Sequence, residues 1–183
     1  VMAMKDNGVK LREGFYKWII WLNLFAAYGM LIAFFMQGYG PVSISFSTLS
    51  ILVFFAFAFV ALRNLSSLAP AHPAKSWIKA SIWMGIISTI GTVVLSYMMA
   101  TFQYDQNTYL GSVYFYLHFQ YNGWFLFACF GLFMDRIQAF NLNQTLVRRS
   151  FWLFLLAAIP TYFLSALWAD IPTSLYIIVV IAA

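Results

Sequence analysis

The sequence predicts an all-α fold: a polytopic transmembrane helical bundle of five full spans plus the start of a sixth. Three observations carry this reading. Of 183 residues, 63% are hydrophobic and 21% aromatic but only 8% are charged, whereas a soluble domain carries about a quarter of its residues as charged side chains. Mean hydropathy is +0.82. The apolar residues also fall in continuous runs of about 20, the length at which a helix rising ~1.5 Å per residue crosses a ~30 Å hydrocarbon core. Membrane-barrel strands would instead alternate over about ten residues. A water-soluble enzyme and a disordered chain are thereby excluded, and a single Cys excludes a disulfide framework within the chain.

The first span, 15–36, follows a basic polar stretch. It exceeds the roughly 7–15 apolar residues of a signal peptide, so it reads as a retained helix. The second, 42–62, opens with Ser43, Ser45, Ser47, Thr48 and Ser50. Between it and the third lies the loop 64–76, where Pro70 and Pro73 stop a helix from continuing. His72 in that loop has no second His, Cys or carboxylate near it in sequence, so it reads as a lone histidine rather than a ligand.

The third span, 77–101, carries Ser81, Gly85, Thr89, Thr92 and Ser96 on one stripe, with Ser88 and Gly91 beside it. Small residues at spacings of three and four let helix backbones approach closely in lipid, so this stripe predicts a packing face; a hydroxyl-lined polar path is the alternative. In the fifth span, 150–168, Pro160 cannot donate to the Leu156 carbonyl, which predicts a kink and a freed acceptor. The sixth, 174–183, has about half a crossing length. With Val1 in place of an initiator Met, it marks the chain as an expected fragment of a longer protein. No repeat or linker divides the sequence, which is read as a single domain over 1–183.

All ten basic residues lie at or before the start of the first span (Lys5, Lys10, Arg12, Lys17) or around the loops that follow the second and fourth spans (Arg63, Lys75, Lys79; Arg136, Arg148, Arg149), which alternating crossings put on one side. The positive-inside rule assigns that side, and the N-terminus, to the cytoplasm. The opposite loops, 37–41, 102–110 and 169–173, contain no Lys or Arg, and their only charged residues are Asp105 and Asp170. The net charge of +5 therefore expresses topology, with attraction to anionic lipid as a secondary effect, and no nucleic-acid partner is implied. Tyr16, Trp18, Trp77 and Trp152 at inner ends, and Tyr39, Tyr97, Tyr104, Tyr109 and Trp168 at outer ones, match interfacial aromatic belts.

The fourth span, 111–134, holds the one constellation that points to chemistry. Read as a helix, Tyr114, His118, Tyr121 and Asn122 share a face. His118 lies on the order of 10 Å in from the outer end, and ionisable groups at such depth face a bundle interior or a wet cavity. A neutral imidazole there can ligate haem iron or copper, with Asn122 one turn away fixing its tautomer or meeting a ligand. Alternatively His118, Gln120 and Asn122 form a polar clamp between helices. Asn23 of the first span is a conceivable partner, although it lies nearer the cytoplasmic side. Cys129, amid Phe127, Phe130 and Phe133, reads as a small buried hydrophobe. No Lys, Asp or Glu lies deep in a span, which argues against a Schiff-base lysine and a carboxylate proton pump.

The stretch Tyr116-Leu-His-Phe-Gln-Tyr-Asn-Gly-Trp124, on an aromatic-rich helix beside small-residue helices, resembles bacterial multi-pass proteins related to haem-copper oxidase subunit I and NnrS-type membrane proteins. The resemblance covers about one span. It implies a bundle in the bacterial inner membrane that binds haem or copper through intramembrane histidines, with His118 as the candidate ligand. The paired histidines and the His-x-His helix of a true oxidase are missing from this sequence, so oxygen reduction is not implied. The functional expectation is a haem- or copper-associated redox or sensing protein. Its alternatives are a small-molecule transporter, or a structural subunit whose partners are other membrane subunits or further parts of the same chain.

Overall fold

The computed structural model describes residues 8–9, 11–70, 72–103, 105–140, 143–169 and 172–182. Lys5, Lys10, Tyr104 and Asp170, used above to assign sides, lie outside them. Every described element is helical. The chain forms two compact units, one from 1–68 with 93–104 and the other from 69–92 with 105–183.

In the first unit, α1 (Glu13–Gln37) and α2 (Pro41–Ser66) form a helical hairpin. The turn follows from its sequence. Gly38 takes φ +65°, which favours glycine, and its N–H closes on the Phe34 carbonyl at 3.0 Å. Pro41 then opens α2 with a ring that fixes φ and lacks the N–H that a first helical residue would leave unpaired. Ser43, fully buried, accepts from the Gly40 N–H at 2.9 Å and reaches the Gly38 and Gly40 carbonyls, each at 2.9 Å.

The helices meet through small residues. Ile19, Ala26 and Ala33 are buried on α1 at steps of seven, and Ser43, Val53, Ala58, Ala61 and Leu65 are buried on α2, so small residues make up much of the contact. Asn64 Nδ2 donates to the Tyr16 hydroxyl at 2.7 Å and ties one end. Asn23 lies 3.5 Å from the Ser50 hydroxyl within the same pair, so its polar partner is Ser50. Ser45 and Thr48 bond back to the Pro41 and Ile44 carbonyls of their own helix.

The second unit is built on the first part of α3 (Pro73–Thr101), the helical run 106–137, and α6 (Gln144–Ala158). The run comprises α4 (Gln106–His118), a π-helical segment Phe119–Phe125, and α5 (Leu126–Ile137). A 3-10 segment, Pro160–Ala166, continues α6, and α7 (Thr173–Ala182) follows.

Trp77, Met84, Phe119, Phe127 and Ala158 form the core, with Phe115, Phe130, Phe151, Leu155 and Tyr162 packed around it. Trp77, expected as an interfacial anchor, is 1% exposed. Its ring sits 5.5, 5.1 and 5.3 Å from those of Phe127, Phe130 and Phe151, because helix α3 starts four residues before the apolar run and carries Trp77 inward. Tyr16 is likewise buried, while Trp18 and Trp152 are exposed as expected of a belt.

The seam between α3 and the run 106–137 is made by glycine. A Cβ on Gly91 would stand 2.6 Å from the Ser112 carbonyl, one on Gly123 2.7 Å from Met84 Cβ, and one on Gly131 2.6 Å from Ile78 Cγ1. The buried stripe of α3 is Trp77, Ser81, Met84, Ser88 and Gly91. The expected packing face exists, turned by about one residue from Gly85, Thr89, Thr92 and Ser96. Of these Gly85 is buried and the other three are half-buried.

The π segment explains how the opposing stripe stays in register. Phe119, Gly123, Phe127, Gly131 and Asp135 are all buried at steps of four. In an unbroken α-helix each step of four drifts ~40° around the axis, so Asp135 would sit ~160° from Phe119. One extra residue wound into a π turn takes back ~100°.

Among the described residues, four helices are long and apolar enough to cross a membrane: α1, α2, α3 and Gln144–Ala166. The expected count of five full spans is thus corrected to four by this measure. The segment 111–134 drops out because His118, Gln120 and Asn122 dilute its apolar run and the π turn divides it into α pieces of 13 and 12 residues. Large apolar side chains such as Phe35, Met36 and Ile181 stand almost fully exposed. Exposure of that order is what a bilayer, rather than water, accepts.

Replacing Gly91 by Ala is expected to lower stability in detergent micelles by about 1–3 kcal/mol, the cost of overpacking against backbone. Gly14→Ala, where an added Cβ meets nothing within 4 Å, is expected to be neutral or stabilising by up to ~1 kcal/mol. Equal thermal shifts for the two variants would contradict the seam.

Candidate functional site

His118 ends α4 at the entry to the π segment and is 6% exposed. Its Nε2 lies 2.8 Å from the Ala158 carbonyl oxygen, and its Nδ1 lies 3.3 Å from Asn122 Nδ2. A carbonyl only accepts, so Nε2 carries the proton and Nδ1 accepts from the Asn122 amide. Both ring nitrogens are engaged.

The acceptor it meets is a consequence of Pro160. Past α6 the winding tightens, and the Tyr162 N–H turns to the Ile159 carbonyl at 3.3 Å, three residues back. The Ala158 carbonyl thereby loses its α-helical donor, and His118 replaces it from another helix. The expected kink takes the form of this 3-10 segment, and the freed group that matters lies two residues beyond Leu156. Thr161 bonds the Ala157 carbonyl at 2.8 Å, so the hydroxyl also serves the disrupted turn.

Beside this pair lies a cavity of about 310 Å³ lined by His118, Asn122, Leu126, Phe127, Phe154, Ala157, Ala158, Thr161, Leu164 and Ser165. Its polar groups are an imidazole, a carboxamide and two hydroxyls, with no Lys, Arg, Asp or Glu among the lining residues. Tyr162, which sequence reasoning passed over, packs its ring 6.0 Å from that of His118 and donates its hydroxyl to the Gly111 carbonyl at 3.1 Å. Another interhelical contact joins Ser88 to Gln120, 2.9 Å from hydroxyl to amide.

The expected face does not hold together as drawn. His118 and Asn122 are joined, but Tyr121 is 62% exposed and Tyr114 packs its ring 6.4 Å from that of Trp168 rather than against the imidazole. Cys129, read as buried, is exposed. The Tyr121 placement follows from the π turn, which rotates residues after His118 away from the face that pure α spacing gives them.

A haem or copper ion implied by the family resemblance does not fit His118 as packed. Ligation needs a free ring nitrogen, and both are spent on Ala158 and Asn122. Among the described residues no group of three His, Cys, Asp or Glu converges to supply other donors.

A second histidine contact was not legible from the loop sequence. His72 accepts the Ala74 N–H on Nδ1 at 3.3 Å, and its Nε2 faces Asp135 Oδ1 at 3.5 Å, with both side chains 6% exposed. The carboxylate absent from the loop comes from the end of α5. Burial lowers the His72 pKa below 6.5; Asp135 opposes this and Lys75 adds to it. No protein-family model, curated protein or solved structure matches the chain.

His118→Ala orphans the Ala158 carbonyl and is expected to cost about 1–3 kcal/mol in micelle unfolding. Asn122→Ala, which removes one interhelical-scale hydrogen bond, should cost about 0.6 kcal/mol. The reverse order would refute the assignment of Ala158 as the group His118 serves.

For His72 the folded state favours the neutral ring. As pH falls through 6.5 the unfolded chain takes up a proton that the folded site resists, so stability falls until the lower folded pKa is passed. Melting temperature is expected to decline below pH 6.5, with a shallower decline for His72→Gln; parallel curves for the two proteins would exclude the effect.

Proposed function

We propose that this chain is a multi-pass membrane protein that binds a small, uncharged, hydrogen-bonding molecule in the cavity between α4–α5 and the α6/3-10 helix, as the binding step of a small-molecule transporter. The observation that carries this reading is the cavity at the His118–Asn122 pair. It combines four polar side chains with an apolar wall of Leu126, Phe127, Phe154 and Leu164, the composition of a small-ligand site. Asn122 is itself exposed and uses one amide hydrogen on His118, which leaves its carbonyl oxygen and second hydrogen to meet a ligand. The 3-10 segment supplies a place where the lining can move, since long 3-10 runs mark hinges.

In this reading 106–137 is a fifth crossing whose polar middle is tolerated because it faces the site, and the N-terminus lies in the cytoplasm of a bacterial inner membrane. The distribution of the basic residues supports that orientation. A haem- or copper-associated redox or sensing protein is the weaker reading, because His118 would first have to release Ala158 or Asn122.

Cysteine accessibility tests the proposal. In a Cys129→Ser background, Asn122→Cys and Ser165→Cys in sealed vesicles are expected to react with a water-soluble maleimide, while Phe119→Cys does not. Absence of labelling at both cavity positions would mean closed dry packing or lipid contact and would end the reading. A Soret band or stoichiometric copper in the purified protein would favour the redox alternative instead.

A further inference from the structure

The outward face of α6 carries a second concavity, about 650 Å³, lined by Gln144, Thr145, Arg148, Arg149, Trp152, Leu153 and Leu156. The opposite face of the helix is committed to the core through Phe151, Leu155 and Ala158. Chemistry changes along the outward face in one direction. Arg148 and Arg149 sit about one turn in from the Asn143 cap, and below them Trp152, Leu153 and Leu156 are exposed. From Arg149 to Leu156 the helix advances on the order of 10 Å.

No acidic residue occurs in the sequence between Asp135 and Asp170, so nothing on α6 or the 3-10 segment offers the two guanidiniums a carboxylate. The N-terminal amides nearest them are already capped, since Asn143 Oδ1 accepts from Thr145 and Leu146 at 3.0 and 3.3 Å. Gln144–Ala166 is one of the four helices apolar enough to cross a membrane. Paired arginines at its start are stable at headgroup depth, where guanidinium forks match phosphate oxygens bidentately.

We infer that this face is a binding site for an anionic phospholipid, whose phosphate sits between Arg148 and Arg149 and whose acyl chain runs over Trp152, Leu153 and Leu156. Charge complementarity selects the anionic headgroup, and the apolar path below it selects a lipid over a free anion. The site depends on the chain lying in a bilayer and is independent of the cavity at His118.

The test uses the full chain reconstituted in phosphatidylcholine vesicles doped with a minor fraction of lipid brominated on the acyl chain, either phosphatidylglycerol or phosphatidylcholine. The signal is the part of the tryptophan fluorescence lost in Trp152→Phe. Brominated phosphatidylglycerol is expected to quench this part several-fold more strongly than brominated phosphatidylcholine. Arg148→Gln and Arg149→Gln should each reduce the preference roughly five-fold, the effect of one basic residue at an anionic surface, and the double Lys replacement, which keeps the charge but loses the bidentate fork, should retain only part of it. Lys17→Gln with Arg63→Gln, which removes two other positive charges, should leave it unchanged.

Equal quenching by both lipids overturns the site, as does a loss just as large in the Lys17/Arg63 control, which would indicate diffuse surface charge. Abolition of the preference by inorganic phosphate would show a free-anion site instead of a lipid site. Failure of either lipid to quench Trp152 would show that protein, a second copy or another polypeptide, covers the face.

Discussion

In hydrocarbon there is no water to serve an unpaired backbone group, and each departure from α-helical winding must be repaired by protein. That requirement organises the second unit. Pro160 and the 3-10 turn after it release carbonyls near the end of α6, and a side chain from another helix is needed at one of them. His118 meets the Ala158 carbonyl at 2.8 Å, which fixes its proton on Nε2 and hands Nδ1 to Asn122. The irregular stretch of one helix thus dictates the orientation of the histidine on another. The cavity beside the pair is bordered by both irregular windings, through Asn122 of the π segment and Thr161, Leu164 and Ser165 of the 3-10 segment.

Around that point the two units solve the same packing problem in different ways. In the α1/α2 hairpin, alanines at heptad spacing bring the helices together, and polar residues bond locally or in single interhelical pairs. In the second unit, glycines at 91, 123 and 131 allow close approach, while an aromatic cluster around Trp77 fills the space beyond the seam. Small residues set the distance and large ones fill what remains, which is how van der Waals contact replaces hydrophobic drive between helices in lipid.

The helical class and the approximate positions of the long helices were legible from apolar run length, because that signal integrates over twenty residues and tolerates local irregularity. The turn at Gly38–Pro41 and the disruption at Pro160 were legible from single residues with strong backbone constraints. Side-chain neighbourhoods were less so. The grouping of His118 with Asn122 survives because the two are four residues apart at the very start of the π turn. Tyr121 leaves the face because face assignments assume 100° per residue, and no residue type in Phe119–Phe125 announces a π turn. The His72–Asp135 approach joins positions 63 residues apart in sequence, from a loop and a helix end, and neither neighbourhood names the other. Position relative to an apolar run gives Trp77 the place of an anchor; where the helix begins decides which way the indole points.

The π turn has a consequence for how this helix can change over time. Its two halves are read in different frames: residues up to His118 keep one phase and those after Phe125 another, offset by the width of one residue. Loss of a single residue between Phe119 and Phe125 would leave a regular, intrinsically better helix. It would also turn either Gly131 and Asp135, or Ser112 and His118, away from their neighbours. Regularity and correct facing are thus incompatible in this segment, and the extra residue is what lets one helix present both its glycine seam and its histidine at once.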